Sequence, residues 1–561
     1  MASMNLRQRH ALGSSDQHRS QSSSSSNGGS GSGSSSEKKA ADIPSSKSTA
    51  SSSTKEDVAK STPNASGNKR SLTFAIGGVL TLLGVAGYTF FRQPSVGIHG
   101  TTPTDTTGPV KTALESVATK HVDARKKLDG LPTKERRDEA KRLDMLTEEE
   151  VNAVLRAKED LWWLESPDSS TMRLRVDTNQ VSSNNPIEDY LAWMPLGTDS
   201  STAAKDKGHS ASRYMFSVFD GHAGFMCAEQ LSLRLGTMLN ESLGVIEKLS
   251  DKGNKGDKNS ATSAELVRTI KQLERESGLD WDQIPLALTA TFIHMDHQLV
   301  HGALAKYRKV QDLARMDELL GPAVSGSCGL VAVVDTKANE VAVGNAGDSR
   351  ALLGVRLKDG RWKAVRLSED QTAKNQNELA RMAREHPGES SVIHRGRVLG
   401  GLMPMRAFGD CRYKWPLEAQ QDLFPVLFSR GHRYATTPPN YITPPYVTAK
   451  PVIVKHQLNE NDKFLVMASD GLYDQLSDDE VVDTVAQWYE ANNGGKESDN
   501  ATSLFTEDSN AATHLIRTAL STDRLGRRSD SVIRRLLAIP APHSRRFRDD
   551  ISVTIVTFDR D

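Results

Sequence analysis

Twice in this chain a short, uncharged apolar run stops at an Asp-Gly pair. Phe216-Ser217-Val218-Phe219 runs into Asp220-Gly221-His222, and Phe464-Leu465-Val466-Met467-Ala468-Ser469 runs into Asp470-Gly471. Runs of this length bounded by turn residues read as strands buried on both faces. An acid after such a strand is fixed at a sheet rim, and the glycine is expected to let the chain turn sharply. One such pair is ordinarily just a turn. Here Arg548-Asp549-Asp550 also precedes the apolar run Ile551–Phe558, and Asn345-Ala346-Gly347-Asp348-Ser349-Arg350 and Asn185-Pro186-Ile187-Glu188-Asp189 add two more acidic segments.

Carboxylates converging from several strand ends repel one another unless a divalent cation sits between them. An all-oxygen ligand set completed by water is what Mg2+ or Mn2+ prefers. Two such ions can activate a bridging water and clamp phosphoryl oxygens around an in-line displacement. A histidine directly after Asp220-Gly221 is placed to protonate a leaving alkoxide.

Further strands are expected at Gly329–Asp335, Glu340–Gly344 and Ala351–Val355. Helices are expected over Ala223–Glu241, Ser263–Glu276, Ile284–Leu304, Gln376–Glu385, Asp478–Glu490 and Asn510–Leu520. Several strands are only a few turn residues apart, which points to antiparallel hairpins and an α+β fold with helices over the sheet. Lys134 to Glu159 has helical periodicity, and Thr147 with Glu150 forms a capping box. Ser250–Thr262 and Asn492–Ser509 read as polar surface loops.

The 561 residues carry 71 basic and 71 acidic side chains, so global charge says nothing about nucleic acid or other polyanionic partners, and no nucleic-acid partner is expected. Three scattered cysteines, Cys227, Cys328 and Cys411, exclude a disulfide framework or a CxxC zinc site. Cys328, between small residues, reads as a buried structural thiol rather than a nucleophile.

Residues 1–71 are rich in Ser and Gly, too poor in apolar surface to fold, and expected to be disordered. The first 36 residues hold Arg7, Arg9 and Arg19 against the single acid Asp16, a composition compatible with a mitochondrial presequence or a plain cytosolic tail. Residues 72–91, Leu72 to Phe91, are an uncharged run flanked by Lys69-Arg70 and Arg92, the length of a membrane-spanning helix. Residues 92–140 read as a linker shading into a basic helical stretch, and 141–561 as the catalytic domain.

Taken in order, FDGHAG (219–224), SGSCGLVAVVD (325–335), GNAGDSRALL (344–353), RAFGD (406–410), ASDGLYD (468–474) and RDDISVTIV (548–556) resemble the metal-dependent protein phosphatases of the 2C type. LTEEEVNAVLRAKE (146–159), NQVSSNNPIED (179–189), LGGLMPMRAFGD (399–410) followed by Lys414-Trp415, and TPPYVTAKP (443–451) resemble the pyruvate dehydrogenase phosphatase branch. The resemblance implies a central sandwich of two antiparallel sheets flanked by helices. It implies hydrolysis of phosphoserine or phosphothreonine by metal-activated water, the branch substrate being the pyruvate dehydrogenase alpha subunit, in mitochondria. Asp220 would bridge two Mg2+ or Mn2+ ions, and the Gly221 carbonyl would bind one of them. Asp470 and Asp549 would complete the core, and Glu188 and Asp189 would hold metal-bound water. His222 would be the general acid, Asp348 and Asp474 would serve a further, weaker metal site, and Asp410 would be largely structural.

One departure stands out. Most relatives carry an arginine four residues before the glutamate of Glu188-Asp189, where it grips substrate phosphate; here that position is Asn184. An amide can donate to phosphate but lacks the bidentate charge of a guanidinium. Arg395 and Arg406 are candidates to supply it. A catalytically weak pseudophosphatase or binding module is the competing class, and it requires loss of a core ligand. Asp220, Asp470, Asp549 and His222 are all present. A membrane span raises a second alternative, a mitochondrial inner-membrane phosphatase with a different substrate. Counting basic residues on the two sides of the span does not settle which way the domain faces.

Overall fold

The structure is a computed structural model that describes residues 108–165, 172–197, 211–250, 261–277, 283–428, 435–493, 508–523 and 525–560. Its strands, in chain order, are β1 (Asp160–Leu164), β2 (Met172–Val181), β3 (Tyr190–Leu196), β4 (Arg213–His222), β5 (Gly326–Asp335), β6 (Glu340–Ala346), β7 (Arg350–Arg356) and β8 (Trp362–Arg366). There follow the two-residue strands β9 (Ile393–His394), β10 (Arg397–Val398) and β11 (Phe408–Gly409), then β12 (Val452–Gln457), β13 (Asp462–Ala468) and β14 (Ile551–Arg560).

Two sheets result. One runs β1-β2-β14-β13-β7-β8 and the other β12-β6-β5-β4-β3, with β11 added beside β5. Their strands pair antiparallel, β14 lying between β2 and β13. Side chains alternate across each strand, so every central strand feeds two cores. On β4, Tyr214, Phe216 and Val218 meet Leu330, Val343, Leu465 and Met467 between the sheets, while Met215 and Phe219 face the helices. On β13, Leu465 and Met467 point inward while Phe464, Val466 and Ala468 meet the opposite helical layer. Both faces are buried, so the runs are continuously apolar rather than alternating.

Helices Met226–Ser250 and Gln283–His297 cover the second sheet, and Asp478–Asn493, Ala511–Ser521 and Asp530–Ala538 cover the first. The α+β class and the two-sheet architecture agree with expectation. The expected strands appear, each extended by one to three residues at one or both ends where pairing continues past the apolar run. The helix expected over Ile284–Leu304 is instead α-helix to His297, one π turn over Gln298–Gly302, then Ala303–Val310.

Two readings of the N-terminal part change. The stretch from Lys134 to Glu159 is not one helix: Thr133–Ala140 ends, and the capping box, with Thr147 and Glu150 each bonding the other's backbone N–H, starts a second helix, Glu148–Arg156. From Pro109 onward the expected linker is helical and docked. In Pro109–Leu128, Lys120 pairs with Glu150 at 2.6 Å, Arg125 Nε donates to the Ala541 carbonyl, and Leu128 packs with Leu143 and Ile539. These helices therefore belong to the catalytic unit. Residues 1–71 and 72–91 and most of the two polar loops lie outside the described residues. Among the described residues no helix is long and apolar enough to cross a membrane.

Candidate active site

Antiparallel register gathers the acidic segments at one end of the sandwich. Asp220 lies on β4 opposite Cys328 of β5, and Tyr190, just after Glu188-Asp189, lies opposite Phe219. Ala468, two residues before Asp470, faces Val553 on one side and Arg350 on the other. Val181 faces Ile551, which brings the 182–189 loop beside Asp549 and Asp550.

Asp220, Asp348 and Asp470 each offer a carboxylate oxygen within 4.8 Å of the others. The Asp470 N–H donates to Asp220 Oδ2 at 3.3 Å. Burial first, and neighbouring acids second, push Asp220, Asp470 and Asp189 well above the usual carboxylate range. Burial likewise raises Asp348, and moves Asp549 up to about 6 against the pull of Arg545. Asp189 Oδ2 is buried without a hydrogen-bond partner among the described residues. Asp474 follows the helical turn Asp470–Tyr473, and its charge is felt at both Asp470 and Asp549. An all-oxygen set this short of positive charge, with one oxygen orphaned, fits a hard divalent cation. Asp348, expected at a separate weaker site, shares the group of Asp220 and Asp470.

The two Asp-Gly glycines are not turn glycines. Neither has positive φ: Gly221 continues β4 and Gly471 sits in a helical turn. What they provide is close approach. A Cβ on Gly221 would lie 2.1 Å from the Glu188 carbonyl oxygen, and one on Gly471 would lie 2.0 Å from the Asp550 carbonyl oxygen. Each glycine thus presses one acidic segment against the backbone of another.

His222 Nε2 lies 2.8 Å from Asp410 Oδ2. Burial disfavours the imidazolium, but the carboxylates of Asp410, foremost, and of Asp348 and Glu188 together outweigh it and raise the His222 pKa. Both side chains rest on Gly326, where a Cβ would stand 2.2 Å from His222 Nε2 and 2.5 Å from Asp410 Oδ2. Asp410 follows Gly409, whose N–H is bound by Asp296, and Asp296 is in turn held by Lys414 Nζ at 2.7 Å. Trp415 anchors the same turn by donating to the Val300 carbonyl. Lys414-Trp415 therefore sets the position of Asp410, and through it His222.

Glu188 Oε1 accepts from the Gly224 N–H at 2.7 Å, and burial raises its pKa. Asn184 does not project as a free donor: its Nδ2 donates to Asp550 Oδ2 at 2.9 Å and to Glu188 Oε2 at 3.4 Å. Asp550 accepts four bonds in all, from the N–H groups of Ser183, Asn184 and Glu188 and from the Asn184 amide. It shapes the loop that carries Glu188 and Asp189. The tandem Asp549-Asp550 was the only trace of this in the sequence.

Arg406 is excluded as a phosphate group, because its guanidinium is buried against Glu378 and the Lys450 carbonyl. Arg395 sits exposed in the β9–β10 turn. Cys328 is structural as expected. Its buried thiol lies 3.1 Å from Asp348 Oδ1, and burial pushes its pKa well up, which leaves no thiolate nucleophile.

The chain is similar in sequence to known proteins. The family model described as protein phosphatase 2C matches residues 252–524. A protein phosphatase 2C homolog of Schizosaccharomyces pombe is 36% identical over 405 residues, covering 69% of this chain and 80% of that protein. The mitochondrial pyruvate dehydrogenase (acetyl-transferring) phosphatase 2 of Homo sapiens is 34% identical over 464 residues, 74% of this chain and 84% of that protein. The corresponding phosphatase 1 of Saccharomyces cerevisiae is 32% identical over 460 residues, 74% and 73%. The chain belongs to the protein phosphatase 2C family, in its pyruvate dehydrogenase phosphatase-like branch, and is a protein serine/threonine phosphatase.

Proposed function

We propose that this phosphatase acts in mitochondria on phosphoserine or phosphothreonine of the pyruvate dehydrogenase alpha subunit, using two Mg2+ or Mn2+ ions and a third, weaker one. The convergence of Asp220, Asp348 and Asp470 beside Asp189 and Asp549 carries the chemistry. When bound, the cations supply an acidified water and a clamp on the phosphoryl oxygens. Asp220, the Gly221 carbonyl, Asp470 and Asp549 hold the ions, with Asp348 and Asp474 supporting the third. Glu188 and Asp189 orient water, and His222 delivers the proton to the leaving serine or threonine oxygen. With Nε2 engaged by Asp410, Nδ1 is the nitrogen left to deliver that proton.

The substrate reading is supported by two of the relatives being named pyruvate dehydrogenase phosphatases. The full chain, supplied with Mn2+ or Mg2+, is expected to release phosphate from phosphorylated pyruvate dehydrogenase faster than from an unrelated phosphoprotein such as casein. Equal rates would remove this substrate assignment and leave the phosphatase assignment intact. The run Leu72–Phe91 supports a tether to the inner membrane. Resistance to carbonate extraction tests the tether. Protease protection in mitochondria and mitoplasts tests whether the domain faces the matrix; a domain facing the intermembrane space would need a different substrate.

Asp410 acts on the reaction through His222. A general acid works while protonated, and removing the Asp410 charge lowers the His222 pKa. Asp410→Asn is therefore expected to move the alkaline limb of the pH–rate profile to lower pH and to cut kcat most on that limb. An unmoved limb would separate Asp410 from proton delivery.

A further inference from the structure

The phosphatase reading leaves one role unfilled: with the Asn184 amide committed to Asp550 and Glu188, no side chain has yet been placed beside the cations to grip the substrate phosphate. The other arginines around the centre are paired or buried. Arg350 is held by Asp370 and Asp478, Arg406 by Glu378, and Arg548 is buried with its Nη2 on the Ser182 carbonyl.

Arg545 differs from all of these. It lies in the 3-10 turn His543–Arg546, one turn before the Asp549-Asp550 pair. Its Nη1 is 2.6 Å from Asp549 Oδ2, yet 48% of its side chain is exposed. Its charge is felt at Asp549, Asp470, Asp220 and Asp550, and also at Glu188 on the opposite loop. Arg545 therefore borders both the acidic centre and solvent. Divalent cations at the centre would take up the negative charge of Asp549 and weaken its hold on Arg545. A planar fork released there matches two phosphoryl oxygens, which neither an amide nor a point charge does.

We propose that Arg545 binds the substrate phosphoryl group, taking from the C-terminal side the role that Asn184 does not fill from the loop. Arg545 would then set substrate affinity without being a ligand of the cations.

The test uses the full chain, its Arg545→Ala and Arg545→Lys variants, a phosphothreonine peptide, and inorganic phosphate as a direct probe. For Arg545→Ala, the KM for the peptide is expected to rise about 10- to 100-fold, the range of one charge-assisted contact. Calorimetric affinity of the Mn2+-loaded protein for inorganic phosphate should fall in parallel. Mn2+ affinity, titrated without phosphate, should change less than about 3-fold, and Arg545→Lys should lie between the two. Two results would overturn the proposal: unchanged phosphate affinity in Arg545→Ala, or a fall in Mn2+ affinity as large as the fall in phosphate affinity. The second would make Arg545 only a partner that positions Asp549. Failure of the unsubstituted protein to turn over the peptide would instead count against the phosphatase reading, and calorimetry would still report on Arg545.

Discussion

Asp220→Asn is expected to abolish turnover and, in the same protein, to raise the melting temperature measured in the presence of a chelator. Loss of groups that only support metal ligands costs about 10- to 100-fold, so removing a carboxylate shared by the centre should cost at least about 10³-fold in kcat. The gain in stability comes from the same carboxylate. In the cation-free protein Asp220 is forced among Asp470, Asp189, Asp348 and Asp549, and an uncharged amide of equal size relieves that repulsion. The pH dependence has a definite sign. The folded-state pKa of Asp549 is raised to about 6 from an ordinary 3.8, so ionising it costs stability. The cation-free protein should be most stable below about pH 4 as far as this group is concerned, and lose on the order of 1–3 kcal/mol as pH rises through 6. Saturating Mn2+ should reverse the trend, because bound cations favour the ionised form. Melting curves at pH 4.5 and 7.5, with chelator and with Mn2+, check this. An Asp220→Asn protein that keeps its activity, or that melts below the parent in chelator, would remove the cation centre from the account.

Gly471→Ala and Gly221→Ala are expected to do comparable damage by a different route. A methyl group at 471 would have to share space with the Asp550 carbonyl oxygen at 2.0 Å and would crowd the Asp549 Cβ at 3.1 Å. At 221 it would meet the Glu188 carbonyl oxygen at 2.1 Å and the Ala228 Cβ at 3.2 Å. Backbone does not yield as a flexible side chain does, so the cost should reach or exceed the 1–3 kcal/mol usual for overpacking. The displaced segments carry Glu188, Asp189, Asp549 and Asp550, so Mn2+ affinity should fall together with stability. Denaturant midpoints and Mn2+ titrations measure the two effects. If either variant retains both, the glycines serve only the local backbone.

How far the sequence could be read depended on what buries each element. Strands β4, β5, β13 and β14 are covered on both faces, so their apolar runs were visible as such. β2 was not, because Arg175, Asp177 and Asn179 interrupt it. Their polar groups are satisfied within the fold: Arg175 and Asp177 pair at 2.8 Å, and Asn179 donates to Leu155 and Thr513. β3 contains Pro195, which is tolerated because β3 is an edge strand. The helices at 109–140 looked like linker because few apolar residues mark their buried face and several partners are distant in sequence, as with Leu128 on Ile539 and the bond from Arg125 to Ala541. At the site, the acids that end apolar strands could be found from sequence. Asp550 and Asp410 could not be given their roles, since each acts on a partner 188 or more residues away. Arg545 is separated from the other arginines only by exposure and position.

The placement of β14 has a consequence for the life of the molecule before it is complete. This strand lies in the middle of its sheet, and Asp549 and Asp550 come immediately before it, yet it is the last of the described strands to leave the ribosome. Until Ile551–Arg560 is available, β2 and β13 have no common neighbour, and nothing holds Asp550 against the loop bearing Glu188 or Asp549 in the acidic centre. A chain still being synthesised, or one threading through a translocation channel, is therefore silent as a phosphatase. A chain that stops before Ile551 lacks the strand between β2 and β13 and is expected to be unfolded as well as inactive.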